Sequence, residues 1–136
     1  MGRVKLSVTL RNTREVPMAC LGHRLADQVH TTTVEALINT GTLRSVLQPL
    51  GADQLGLLRL TRTGTQRADG RWGEAEMTEP FYVELYGRQT VAEALVMGEH
   101  VLLGAIVLEG LDLVVDCARQ QLVPNVGTWE QPVFRV

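Results

Sequence analysis

Ala36-Leu37-Ile38-Asn39-Thr40-Gly41-Thr42, followed by Leu43-Arg44-Ser45-Val46-Leu47, is the stretch on which the reading of this chain turns. An apolar run enters a Thr-Gly turn, and a second apolar pair, Val46-Leu47, follows a few residues on. Val34 to Ile38 reads as a largely buried strand. Asn39 stands at its end, and Gly41 lets the backbone turn sharply because it carries no β-carbon. Taken alone, these residues describe a strand-to-loop junction.

On either side the pattern is that of a β protein. Val4 to Leu10 alternates apolar and polar residues, as a half-buried strand does. Arg11 to Pro17 supplies turn residues, and Met18 to Gly22 is a short apolar patch that begins a second strand or an irregular loop. Asp27 to Ile38, rich in Thr and Val, reads as one long strand delivering the Asn39 loop. Gln48 to Gly56 reads as a short helix with Gly56 just past its end. Leu57 to Thr63 alternates again. Asp69-Gly70 marks a hairpin, since Gly takes positive φ there with little strain, and Arg71 to Glu79 is the returning arm. Phe81 to Leu85 and Gln89 to Met97 pair as a second hairpin around Tyr86-Gly87-Arg88. Leu102 to Leu111 is apolar almost all round and reads as a buried strand entering a helix. Leu113 to Asp116 and Gln121 to Val123 form a last hairpin.

The chain has 136 residues, room for one domain with a proper core. A net charge of -2 argues against a nucleic-acid binder held by phosphate contacts. Aromatic residues make up only 4%, too few for a base-stacking surface. No apolar run approaches the ~20 residues of a membrane span, and Met1-Gly2-Arg3-Val4-Lys5 lacks the apolar core of a signal peptide. A cytoplasmic protein without nucleic-acid or membrane partners is the default. Cys20 and Cys117 make no disulfide framework or zinc spacing, so two reduced thiols are expected and no metal or cofactor. A nucleophilic cysteine would need His23, His30 or His100 as partner, and no motif places one there.

Read together, three segments resemble the retropepsin-like aspartic proteases, bacterial members included. The family's active-site pattern is apolar-apolar-Asp-Thr/Ser-Gly-Ala/Thr, matched by Leu37 to Thr42 except at Asn39. Gly64 to Arg71 looks like the family's flap hairpin. His100-Val101-Leu102-Leu103-Gly104 looks like its second signature, continued by Leu108 to Asp116. The likeness covers roughly residues 3 to 124. It implies a mostly β fold, a closed barrel with one or two short helices, over a domain at 1–124. Residues 125–136 would be a C-terminal tail or dimer arm.

One signature per chain implies a symmetric homodimer with the site on its two-fold axis. By the same resemblance Asn39, Thr40 and Gly41 occupy the catalytic positions, with Thr40 anchoring the two loops across the axis. Thr42, Ala68, Asp69, Gly70, Leu103, Gly104 and Ile106 would bind an extended peptide or unfolded protein. Ala68, Asp69 and Gly70 would be the flap tip, on a hairpin loosened by Gly64, Gly70 and Gly73. Leu103 and Ile106 would pack under the loop or line subsites. Ala105 stands where retroviral members often carry a charge that ties up their dimer, so those contacts are not implied here. Trp72 and Trp129 are expected to pack within their own subunit, the alternative being an exposed grip on substrate or partner.

The departure at Asn39 bears on function. Such enzymes use two carboxylates sharing one proton, one ionised to activate water and one to hydrogen-bond the substrate carbonyl. An amide cannot be that base. Asn keeps the shape and removes the chemistry, as a deliberate inactivation or a natural pseudoprotease would. The leading reading is an aspartic endopeptidase held inactive at Asn39. The alternatives are a pseudoprotease that binds extended peptides without cleaving them, and a β-barrel dimerisation domain with no peptide groove.

Overall fold

The structure, a computed structural model, describes residues 4–23 and 26–125. Its first strand, β1 (Val4–Asn12), runs antiparallel to β2 (Thr31–Ile38), Val4 facing Ile38 and Arg11 facing Thr31. Between them lies α1 (Glu15–Cys20), where an apolar patch suggested a strand or a loop. Pro17 hides this helix in the sequence, yet in a first turn its missing N–H breaks no helical hydrogen bond. The long strand expected from Asp27 starts only at Thr31, because Ala26–Gln28 form a 3-10 turn. A buried polar knot fixes this end. Asn12 Nδ2 donates to the Leu55 carbonyl at 2.8 Å, and Asn12 Oδ1 accepts the Glu15 N–H at 3.1 Å. The buried Glu15 carboxylate accepts the His30 backbone N–H and meets His30 Nδ1, each at 2.8 Å.

The chain continues through β3 (Ser45–Leu47), α2 (Pro49–Gln54), β4 (Arg59–Gln66), β5 (Trp72–Thr78), β6 (Phe81–Leu85) and β7 (Arg88–Ala92). Then come β8 (Ala94–Val96), β9 (Val101–Leu103), α3 (Ala105–Leu111), β10 (Leu113–Asp116) and β11 (Gln121–Pro124). Nine strands form one sheet in the order β4-β5-β8-β3-β9-β2-β1-β6-β7, and β10 pairs with β11 apart. That order has two ends, β4 and β7, so among the described residues hydrogen bonds do not close the expected barrel. The described residues hold three short α-helices where one or two were expected. The partner foreseen for β6 is two strands: β7 pairs with it, and β8 leaves to pair with β3 and β5. The core runs from Val8 and Leu10 through Ala36, Leu47 and Phe81 to Leu103.

Helix α3 lies tight on β7. Arg88, itself buried, donates to the Leu111 and Asp112 carbonyls at 2.9 and 3.1 Å, satisfying acceptors that a helix end otherwise leaves open. A β-carbon at Gly110 would meet the Thr90 side chain, coming within 2.9 Å of its Cβ. Turning the Thr90 hydroxyl away does not relieve that contact. Gly110→Ala therefore costs about 1–3 kcal/mol by overpacking, more than the ~1 kcal/mol that Ala gains over Gly in a helix. A fall in the urea midpoint checks this, and a rise would show that the helix moves off β7 freely.

Candidate functional site

The topology puts Asn39 at a crossing. β9 lies between β2, parallel to it, and β3, antiparallel to it: Ala36, Leu37 and Ile38 face Val101, Leu102 and Leu103, and Val46 faces Leu102. The loop from β2 to β3 must therefore pass over the end of β9, where the chain turns into α3. Backbone hydrogen bonds lock the two together. Asn39 donates to the Leu103 carbonyl at 3.0 Å. Ala105 donates to the Thr42 carbonyl at 2.8 Å and Ile106 to the Leu43 carbonyl at 3.4 Å. The first N–H groups of α3, which have no partner inside the helix, are thus met by the loop. The Gly104 N–H reaches Ser45 Oγ at 3.2 Å, and Ser45 is 3% exposed. A β-carbon on Gly104 would stand 2.6 Å from the Leu43 carbonyl oxygen and 2.7 Å from that of Arg44. Only glycine fits where the two backbones cross.

Within the loop the Asn39 side chain is held by its oxygen. Gly41 donates to Asn39 Oδ1 at 3.0 Å, and Thr42 to the Asn39 carbonyl at 3.4 Å. A β-carbon at Gly41 would sit 3.2 Å from Oδ1, so glycine gives that oxygen its room. Asn39 and Thr40 are both exposed. Neither the hydroxyl nor the backbone N–H of Thr40 has a hydrogen-bond partner among the described residues.

Of the candidate residues, Asn39, Thr40, Gly41, Thr42, Leu103, Gly104 and Ile106 come together at this crossing. Leu103 is 1% exposed and belongs to the core, whereas Ile106 is 45% exposed. Ile106 borders a cleft of about 90 Å³ with Leu43, Arg44 and Val91. Sequence reasoning passed over three positions. Ser45 anchors Gly104. Val46 and Leu102 face each other across β3 and β9 and are half-buried, unlike Val101 and Leu103 on the other face. The two-residue period of a strand was the signal for that face.

Ala68, Asp69 and Gly70 lie apart, at the exposed tip of the β4–β5 hairpin. Gly70 has φ 86°, as the Asp-Gly signal required. Arg67 and Arg71 close the turn through an N–H to carbonyl bond of 2.9 Å. Among the described residues no hydrogen bond joins this tip to the Asn39 loop; the base of β5 connects to β3 through β8. Trp72, at the head of β5, is 78% exposed, against the expectation that it packs within its own subunit. Trp72 pairs with Gln66 near the hairpin tip, beyond Glu76 and Met77 where β5 meets β8, so among the described residues β4 is its one strand neighbour. Trp129 lies outside the described residues.

The Arg71 backbone N–H first, then its guanidinium, hold the Asp69 carboxyl below the usual carboxylate range. A depressed folded value means that this support is whole above about 3.9 and is lost as pH falls through the lower value. Acidification should therefore release the Arg71 amide, read as a loss of its hydrogen-bonded NMR shift, while Gly104 keeps its own. An unmoved Arg71 resonance would show that the turn does not depend on the carboxylate.

Cys20 and Cys117 are free and exposed. Among the described residues neither thiol is bonded to a histidine, no group of three or more His, Cys, Asp or Glu is placed to hold a metal, and no helix is long and apolar enough to cross a membrane.

No family model matches the chain, and no curated protein does. Among solved structures it is similar to the EIAV protease complexed with the inhibitor HBY-793, at 21% identity and a TM-score of 0.55, over 79% of this chain and 86% of that one. The chain has a retropepsin-like fold.

Proposed function

We propose that the chain is an aspartic endopeptidase of the retropepsin type, with one catalytic loop per subunit of a homodimer and Asn39 in the place of the catalytic aspartate. The present sequence is inactive for that reason alone. The observation that carries this reading is the crossing itself. Asn39, Thr40 and Gly41 sit on a loop pinned by backbone to Leu103, Gly104 and α3, in a fold shared with a viral protease.

In the dimer the two positions at 39 face each other, and the free Thr40 hydroxyls bond across the axis. With Asp at 39, one ionised carboxylate takes a proton from water while its protonated mate hydrogen-bonds the scissile carbonyl. Residues 1–124 make up the protease domain; the tail or dimer arm assigned to 125–136 lies, beyond Asn125, outside the described residues. The substrate is an extended peptide or unfolded protein lying between the loop and the β4–β5 hairpin. Thr42, Val46, Leu102 and Ile106 line its path, and Ala68, Asp69 and Gly70 close over it as an added strand would require.

The bond from Gly41 to Asn39 Oδ1 favours a second reading. The loop keeps its form with an amide, so a natural pseudoprotease would still bind peptides without cutting them. The deciding experiment is a protease assay of Asn39→Asp beside the present chain, with inhibitors that mimic the tetrahedral intermediate. Inhibitor-sensitive cleavage by the variant supports the enzyme. Tight binding of extended peptides by both proteins, without cleavage by either, supports the pseudoprotease.

A further inference from the structure

The Asn39 loop sets one hydrogen-bond donor on its asparagine side chain and leaves the next backbone amide unpaired among the described residues. The side-chain carbonyl oxygen of Asn39 accepts the Gly41 N–H at 3.0 Å. The next amide along the chain, the N–H of Thr40, is bound to nothing among the described residues. Both residues are exposed, so water reaches them.

We propose that Asn39 is a self-deamidation site, at which the folded loop converts asparagine to aspartate. The chemistry rests on the loop alone. Its consequence, the gain of a catalytic carboxylate, rests on the function proposed above. The Thr40 nitrogen gives its proton to solvent base and attacks Cγ of Asn39. A nitrogen–carbon bond forms, and negative charge moves onto Oδ1. The side-chain nitrogen takes up a proton and leaves as ammonia, closing a cyclic imide between Asn39 and Thr40. Water then opens the imide. Opening at Cγ leaves aspartate with the normal main chain; opening at the main-chain carbonyl leaves isoaspartate, whose backbone runs through the side chain. No reagent other than water enters.

The loop favours the first step in two ways. The Gly41 N–H already lies where charge develops on Oδ1, the arrangement by which a fixed donor stabilises an oxyanion. The attacking nitrogen gives up no hydrogen bond in order to react. Gly41 has no β-carbon to push Oδ1 out of this place. In the unfolded chain both advantages vanish while the branched Thr40 side chain still hinders attack. That sets the comparison: folding should speed the reaction at Asn39, whereas a loop that merely restrains the backbone slows it. The expected acceleration is about tenfold, below the ~100-fold or more that one oxyanion donor is worth in an enzyme.

The test ages the full chain at mildly alkaline pH, folded and in urea, and follows the peptide spanning Asn39 by mass spectrometry. Chromatography separates aspartate from isoaspartate. Asn12 and Asn125 in the same samples serve as internal references. Faster conversion of Asn39 in the folded protein than in urea, with aspartate among the products, is the expected result. Equal or slower conversion overturns the proposal. Asn39→Asp made directly is the control for function. If that variant cleaves peptides and the aged chain converts no faster than in urea, the modification is refuted and the function stands. If the aged chain converts but neither it nor the variant cleaves, the modification stands and the function falls.

Discussion

On the proposed function, Asn39→Asp should create endopeptidase activity. The change adds the one group the site lacks, and Gly41 can donate to a carboxylate oxygen as it does to the amide oxygen. Positioned acid–base groups contribute typically ~10²–10⁴-fold each, so a gain of at least about 10³-fold over the present chain is expected. The pH profile should be bell-shaped, bounded by two apparent values that belong to the pair of carboxylates rather than to either subunit. A cost accompanies the gain. At pH 7 two facing carboxylates repel unless they share a proton, whereas two amides pair as donor and acceptor. The dimer dissociation constant of the variant should exceed that of the present chain roughly tenfold, about 1.4 kcal/mol. A folded, dimeric variant that digests no unfolded substrate from acid to neutral pH would sink the enzyme reading.

Gly104→Ala should damage the molecule most. The new methyl would stand 2.6 and 2.7 Å from two backbone carbonyl oxygens, and neither can swing aside as a side chain does. Relief requires moving the loop off α3, which breaks the bonds from Ala105 to Thr42 and from Ile106 to Leu43 and strands the buried Ser45–Gly104 pair. Overpacking alone costs ~1–3 kcal/mol and an orphaned buried donor a similar amount, so the loss is about 3–5 kcal/mol of a typical 5–15. Thermal unfolding should fall by roughly 10 °C or more. Made together with Asn39→Asp, the same substitution should abolish cleavage even at temperatures where the chain stays folded. Full activity in that double variant would mean that the crossing does not set the geometry at position 39.

Local features of the fold were the legible ones. Asp69-Gly70 named its turn, Gly56 the end of α2, and Leu102 to Leu111 the passage from strand to helix, because each depends on neighbours in the chain. What stayed hidden was long-range. Nothing near Val101 reveals that it pairs with Ala36, or that β8 leaves its hairpin for β3. α1 was missed because its support comes from elsewhere: Glu15 is buried against His30, and Asn12 ties the helix start to the end of α2. At the site, the Asn39-Thr40-Gly41 turn could be found from its own residues. Ser45 and the Val46–Leu102 face could not, since their meaning arises only where β3 meets β9. Trp72 was misjudged because an aromatic residue suggests burial, and only the length of the hairpin carries it away from the body.

The crossing of the two backbones has a consequence at the level of populations of chains. Position 39 is held by main-chain bonds and by an oxygen that asparagine and aspartate share, so folding scarcely distinguishes the two. In the proposed dimer a carboxylate facing an amide meets a hydrogen-bond donor instead of a like charge, so a cell carrying one gene copy with the acid and another with the amide would make mixed pairs more readily than pairs of two acid chains. Every mixed pair lacks half of its dyad. The amide chain would act as a dominant poison of its own relative, a stoichiometric brake set by gene dosage rather than by any inhibitor.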